Sequence, residues 1–250
     1  MTSFALRCIA AAAMLIDHIG YAFYDVLPHP LLFRMVGRLS FPIFCFLITE
    51  GLYHTRDIRK YLLRLGIFAV ISEVPFDWML SQGRALVGWE SQNVYWTLLL
   101  GLLSIVLFDT FAAQNRRLLS LISVLAAAAG AWLLRADYGA VGVYLIFVFY
   151  RFRGQPGPRA VFFSVGVLLG ACLALNPDAL MLLLAGEIDA GTFWEFSSWA
   201  LVSLLQVAAL PLIHAYNGAP GPRSKALQWS FYAFYPAHLL VLTLFRLALP

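Results

Sequence analysis

The run NVYWTLLLGLLSIVLFDTFAA, Asn93 to Ala113, decides how the rest of the chain is read. Between Val94 and Phe108 it holds no charged residue. Its length suits a hydrocarbon layer about 30 Å thick, crossed by a helix rising about 1.5 Å per residue. In lipid, only helices and closed barrels satisfy their own backbone. A barrel strand alternates apolar and polar residues. This run does not alternate, so it reads as a membrane-spanning helix.

Comparable runs fill most of the chain. They lie near Phe4 to Tyr24, Leu31 to Tyr53, Lys60 to Leu80, Arg117 to Leu134, Gly139 to Phe152, Arg159 to Leu175, Ser197 to Tyr216 and Ala226 to Leu247. Of the 250 residues, 62% are hydrophobic and 12% charged, where a soluble domain carries about 25% charged residues. A larger core does not explain the deficit, because a soluble surface must still be wetted. The expected fold is all-α, a polytopic transmembrane helical bundle of about nine helices, between about eight and ten. No linker, repeat or low-complexity tail divides it, so residues 1–250 read as one domain. The stretch Ala179 to Gly186 is apolar but too short to span, and is expected on the membrane surface or dipping into it. Arg7 followed by Cys8 to Ile16 has the outline of a signal peptide, but Asp17-His18 follows at once and no small-x-small cleavage site ends the run. It is read as a retained first span.

Cationic connections set the expected orientation. Arg56, Arg59, Lys60 and Arg64 flank one connection, Arg116 and Arg117 a second, Arg151, Arg153 and Arg159 a third, and Arg223 and Lys225 a fourth. These are alternate connections, and basic loops face the cytoplasm. The N-terminus is therefore expected inside and the C-terminus outside. The loop from Pro177 to Phe196 has no Lys or Arg but holds Asp178, Glu187, Asp189 and Glu195. The net charge of +4 is read as this anchoring; no basic stretch with interleaved aromatics suggests nucleic acid. Cys8, Cys45 and Cys172 are isolated in apolar runs, without metal-ligand spacing.

Ionisable groups inside spans are costly and mark functional sites. Arg7, Asp17, His18, Arg38, Glu50, Arg64, Glu73 and Asp77 all fall in the first three helices, while Ser120 to Gly130 and Val161 to Leu175 hold none. The first three helices are expected to line a polar cavity, and the fifth and seventh to face lipid. Arg7 and His18 are eleven positions apart, about three turns and roughly 16 Å along one helix face. A guanidinium at the cytoplasmic mouth suits a phosphate or carboxylate, and a neutral imidazole at depth suits a general base. Asp17 cannot orient His18 from its own helix, because adjacent side chains diverge. Glu50, Glu73 and Asp77 are the candidate partners. Glu50 and His54 share a face, as do Glu73 and Asp77 with Pro75 between them. The latter pair suits a cation, an amine or a proton, or an internal ion pair with Arg38 or Arg64. In the last helix Tyr232, Tyr235 and His238 share a face with Pro236, read as a cavity wall rather than an interfacial aromatic belt.

The stretches Met14-Leu15-Ile16-Asp17-His18-Ile19-Gly20, Gly37-Arg38-Leu39-Ser40-Phe41-Pro42, Tyr61-Leu62-Leu63-Arg64-Leu65, Ser72-Glu73-Val74-Pro75-Phe76-Asp77 and Tyr216-Asn217-Gly218 resemble the TraX family. So do Thr97 to Gly101, Asp137-Tyr138-Gly139 and the closing Phe231 to His238. The family's namesake acetylates the N-terminus of pilin. At a wider remove the chain is similar to acyltransferase-3-type transmembrane acyltransferases, which share the Arg–His spacing of Arg7 and His18. The resemblance implies a multi-pass acetyltransferase of the bacterial cytoplasmic membrane, using acetyl-CoA as donor, with a peptide, glycan or lipid hydroxyl or amine as acceptor. Arg7 and Arg64 are then expected to hold the donor's phosphates, and His18 to act as general base. Asp17, Glu50 and Asp77 are the acidic candidates beside it, while Arg38, Glu73, Tyr235 and His238 would contact substrate or oxyanion. Arg38 reads equally well as an ion-pair partner. A small-molecule transporter or flippase is the alternative, on the strength of the intramembrane carboxylates.

Overall fold

The computed structural model describes residues 1–222 and 224–249; Arg223, one of the loop cations, lies outside the described residues. The chain runs through α1 (Ser3–Ala22), α2 (Pro30–Gly37), α3 (Ser40–His54), α4 (Ile58–Leu80), α5 (Val94–Ala113), α6 (Arg117–Leu133), α7 (Gly139–Arg151) and α8 (Pro156–Ala174). The short α9 (Pro177–Leu184) follows, then α10 (Ala190–Ser203), a 3-10 turn (Leu204–Ala209), α11 (Leu210–His214) and α12 (Lys225–Ala248). No strand occurs among the described residues, only an isolated bridge between Gln92 and Ala136. Among the described residues six helical stretches are long and apolar enough to cross a membrane, α6 and α7 are shorter apolar helices, and the 23-residue α4 carries Arg64, Glu73 and Asp77. The protein is a multi-pass helical membrane bundle, as its composition requires.

Two predicted helices are interrupted, each by a proline. Residues 31–53, expected as one helix, break at Arg38 and Leu39 into α2 and α3. Pro42 lacks the N–H that would bond the Arg38 carbonyl, and its ring crowds that carbonyl. Pro211 acts similarly on the stretch expected at Ser197 to Tyr216. The helix begins earlier, at Ala190, and tightens into the 3-10 turn before α11. The stretch too short to span forms α9, capped by the Asn176 side chain, which accepts from the Asp178 and Ala179 amides at 3.0 and 3.2 Å.

Contacts between connections gather the helix ends. At one end the Asn217 amide bonds the Met1 carbonyl at 2.9 Å, joining the start of α1 to the end of α11. Arg153 grips Glu50 through two hydrogen bonds of 2.7 and 3.3 Å, joining the ends of α7 and α3. Tyr150 bonds Asp109, adding the end of α5. This is the basic end, where Arg56, Lys60, Arg116 and Arg151 lie. Opposite it, Arg246 of α12 pairs with Asp25 beyond α1.

Lipid tails are as apolar as leucine, so helices associate in a membrane by close packing and internal hydrogen bonds. The residues follow that rule. Leu6, Ile43, Leu102, Ile105, Leu145, Ile146, Phe163 and Leu239 are fully buried between helices. Leu118, Leu125 and Trp132 of α6 and Val161, Leu169 and Leu173 of α8 are exposed on the outside of the bundle. Gly142 marks the tightest crossing. A Cβ there would lie 2.4 Å from Thr97 Cγ2 and 2.9 Å from Phe41 Cζ. Gly142→Val is expected to force α7 from α5 and α3 at a cost of about 1–3 kcal/mol, read as a lower thermal transition in detergent; an unchanged transition would show that this crossing is loose.

Candidate functional site

Met14, Asp17, His18 and Tyr21 recur at helical spacing, so α1 presents them on one face. That face borders a cavity of about 210 Å³. Arg34 and Arg38 from the α2 region, Phe41 of α3, Phe76 of α4, Tyr95 of α5 and Tyr235 of α12 complete the wall, together with Asp137 and Tyr138. The first two predicted helices bring charged groups to the cavity, whereas the third contributes only the apolar Phe76, Met79 and Leu80, and the fourth and last add aromatic rings.

Asp17 is buried at the cavity beside His18, and its carboxylate is bonded to arginines rather than to the imidazole. Its carboxylate accepts from Arg38 Nη2 at 2.7 Å and also from Arg34 Nη1. Arg34 Nη1 donates in addition to the Asp17 carbonyl at 3.2 Å, and Arg38 Nε donates to the Arg34 carbonyl at 3.2 Å. The Arg34 guanidinium lies over the rings of Tyr21 and Trp199, 5.4 and 4.9 Å from their centroids. Such a network needs α1 and α2 very close. Gly37 provides that approach, since a Cβ there would lie 2.0 Å from Asp17 Oδ1. Asp17, a catalytic candidate by sequence, is therefore the anchor of two arginines, and Arg38 combines an ion pair with a place on the cavity wall.

His18 finds its partner on α12, and that partner is an imidazole. His18 Nδ1 lies 2.6 Å from His238 Nε2, with the ring centroids 4.9 Å apart and the ring planes inclined by 28°. His238 Nδ1 in turn lies 2.7 Å from the Phe234 carbonyl oxygen, one turn back on the same helix. Tyr235 meets His18 edge-on at 6.0 Å. Pro236 cannot donate to the Tyr232 carbonyl, and the Tyr95 hydroxyl takes that acceptor at 3.0 Å. The proline of α12 thus locks α5 against the site.

The carboxylates proposed for His18 are engaged elsewhere. Glu50 is bound by Arg153 at the basic end, with His54 at 3.9 Å, and sits nine residues beyond Phe41 on α3, roughly 13 Å along the axis. Glu73 Oε1 accepts from the Asn93 side chain at 2.6 Å, from the Asn93 amide at 3.3 Å and from Trp96 Nε1, so it organises the start of α5. Asp77 accepts from the Gly88 amide at 2.7 Å and holds the loop before α5. Neither Glu73 nor Asp77 pairs with Arg38 or Arg64, the internal arrangement that the sequence left open.

A carboxylate that sequence reasoning did not select occupies the cavity instead. Asp137 stands in the connection between α6 and α7, among Arg38, Asp17 and Arg34. Burial pushes its carboxyl up to about 6, Asp17 adds to the rise, and Arg38 and Arg34 oppose it. Tyr138 beside it holds φ at 62°, a left-handed conformation unusual for an aromatic residue. It stacks on Phe41 with 3.6 Å between ring centroids, and Thr97 bonds the Asp137 carbonyl. Asp137 falls between predicted helices, which is why an argument from ionisable groups inside spans passes it by.

Arg7 and Arg64 lie nearer the basic end, outside the cavity wall. Both are close to Tyr61 and Tyr232, with Arg64 5.6 Å from the Tyr61 ring. Neither forms an ion pair with an acidic side chain among the described residues. Arg64 Nε is buried with no hydrogen-bond partner. From this cationic cluster the rings of Tyr232, Tyr95 and Tyr235 lead to His18, at successive centroid distances of 6.3, 5.4 and 6.0 Å.

Removing one partner of a buried ion pair leaves an unpaired charge and costs about 3–5 kcal/mol. Asp17→Ala is expected to destabilise the protein by about that much, with Asp17→Asn retaining part of the difference through its amide oxygen. Thermal unfolding in detergent checks this, and equal transitions for wild type and Asp17→Ala would show that the arginines do not depend on Asp17.

The chain is 28% identical over 260 aligned positions to a probable fimbrial assembly protein, FimC of serogroup H1, from Dichelobacter nodosus, covering 96% of this chain and 94% of that protein. No solved structure matches it. The model of the family described as TraX protein matches residues 3–246, and the chain belongs to the TraX family.

Proposed function

We propose that this protein is a membrane acyltransferase that moves a short acyl group, acetyl in the first instance, from acetyl-CoA to a hydroxyl or amine. The observation that carries the reading is the layout of α1. Arg7 joins an unneutralised cationic cluster near the basic end, and His18 borders a cavity about 16 Å away along the same helix. A phosphorylated donor with a long, narrow arm fits that separation. Its phosphates would meet Arg7 and Arg64, and its arm would run along the tyrosines towards His18. With the basic end in the cytoplasm of a bacterial cell, the donor enters from inside and the acceptor meets the cavity from the opposite half of the membrane.

In the reaction, His18 takes the proton of the acceptor hydroxyl or amine as that atom attacks the thioester carbonyl. The carbon–sulfur bond then breaks, and the CoA sulfur leaves as the thiol with the proton held by His18. The negative charge developing on the carbonyl oxygen requires a donor fixed beforehand. Arg38, clamped by Asp17, and the Tyr235 hydroxyl are the cavity groups that meet this need. The kinship with a fimbrial assembly protein favours a peptide acceptor associated with pili over a glycan or a lipid. The transporter reading rested on the intramembrane carboxylates of the third predicted helix. Glu73 and Asp77 instead bond the segment that leads into α5, which leaves that reading without its main support.

Calorimetry of acetyl-CoA binding to detergent-purified protein tests the donor site. Each charge-assisted contact contributes about 1.5–3 kcal/mol, so Arg7→Ala and Arg64→Ala should each weaken binding about tenfold or more. His18→Ala should bind nearly as well as wild type while losing acyl transfer by about 100-fold or more. Absence of binding by well-folded wild type, or transfer that survives His18→Ala, overturns the proposal.

A further inference from the structure

The hydrogen-bond chain through α12 has a direction. The Phe234 carbonyl can only accept. It lies 2.7 Å from His238 Nδ1, so that nitrogen carries a proton. In a neutral ring the other nitrogen, Nε2, is then a bare acceptor. His18 Nδ1 stands 2.6 Å from it, and two bare nitrogens at that distance would repel. Nδ1 of His18 therefore carries the shared proton, and His18 Nε2 is left with its lone pair. Neither ring has a carboxylate of the described residues within ion-pair range. An imidazolium there would be a buried charge without a partner, and the resting pair is neutral.

We propose that His238 is the positioning residue of the site, fixing His18 in the Nδ1–H tautomer so that Nε2 is the base. The consequence for catalysis rests on the acyl-transfer reading; the tautomer itself does not. In acyl-transfer triads a carboxylate does this work from behind the histidine. Here the adjacent carboxylate, Asp17, is committed to Arg34 and Arg38, and a second imidazole takes its place. When His18 Nε2 accepts the acceptor's proton, the new imidazolium keeps donating through Nδ1 to His238 Nε2. His238 stays neutral and needs no proton of its own to move. After the CoA sulfur takes the proton from Nε2, the pair returns to its starting state.

Several other ionisable groups face the pair, and none competes for its shared proton. From α1 and α2 these are Asp17, Arg34 and Arg38, already bonded to one another. Tyr235 of α12 meets both rings edge-on, at 6.0 and 5.8 Å. Asp137, from the connection before α7, stands with the arginines. His238 is itself buried. The sequence suggested a contact with substrate or oxyanion for it; its place against His18 and the Phe234 carbonyl gives it the supporting role instead.

The test is nitrogen-15 solid-state NMR of histidine-labelled full-length protein in lipid bilayers, with signals assigned from His18→Gln and His238→Gln. For wild type the expected result is a protonated Nδ1 and a bare Nε2 on both rings, with a through-bond coupling from His18 Nδ1 to His238 Nε2. In His238→Leu the coupling disappears and His18 becomes a mixture of tautomers. In His238→Gln, whose amide oxygen can still accept, His18 keeps its Nδ1–H form. A wild-type His18 that carries its proton on Nε2 overturns the proposal, as does a His18 tautomer unchanged in folded His238→Leu. Should that variant fail to fold, the wild-type spectrum alone decides. The readout needs neither donor nor acceptor. Tautomers as stated, together with no acetyl-CoA binding in calorimetry, would therefore sink the acyl-transfer reading and leave the dyad standing.

Discussion

The ion pair between Asp17 and its two arginines is the constraint on which the site depends. In a membrane interior no solvent rescues a charge whose partner is misplaced, so the carboxylate and the guanidiniums must be satisfied within the protein. Meeting that demand draws α2 onto α1 through the gap left by Gly37. It also turns the polypeptide at Arg38 and Leu39, where Pro42 breaks the helix. The result is a short helix that lines the cavity through Arg34 and Gly37, with Arg38 in the wall beside them. A buried ion pair is weak grounds for stability on its own; here its effect is geometric.

The same economy of partners runs through the rest of the bundle. Each proline in a long helix leaves a carbonyl without its usual donor, and at Pro236 the Tyr95 hydroxyl supplies the missing bond. Asn93 caps α5 through its own side chain while giving its amide hydrogens to Ala69 and Glu73. These bonds hold α4, α5 and α12 in register around the tyrosines that connect the cationic cluster with His18. Rigid support of this kind is what a site needs if its reacting groups are to stay within a fraction of an ångström of their working geometry. The left-handed Tyr138, stacked on Phe41, is the one place at the cavity where the backbone itself is strained to present a side chain.

Much of this was legible in the residues. The length and apolarity of the runs dictated helices, because lipid leaves the backbone no other open-ended solution. The concentration of Asp17, His18 and Arg38 near the start of the chain pointed to the cavity, because ionisable groups enter lipid only where protein surrounds them. The adjacency of Asp17 and His18 was enough to show that Asp17 does not orient the imidazole. What could not be read was pairing across helices. Nothing in local spacing distinguishes Glu50 bound to Arg153 from Glu50 behind His18, since the partners lie 103 positions apart in the one case and 32 in the other.

The sequence by itself determined that this protein spans the membrane as helices, where its lipid-facing surfaces lie, and which end of the chain bears the polar groups. Those are consequences of transfer free energy and of helical periodicity, both local properties. The tertiary structure decided that His18 answers to His238, 220 positions away, that Asp17 serves two arginines, and that Asp137 reaches the cavity from between two helices. Those are consequences of which helix faces meet, and a face is chosen by packing and mutual hydrogen-bond satisfaction over the whole bundle.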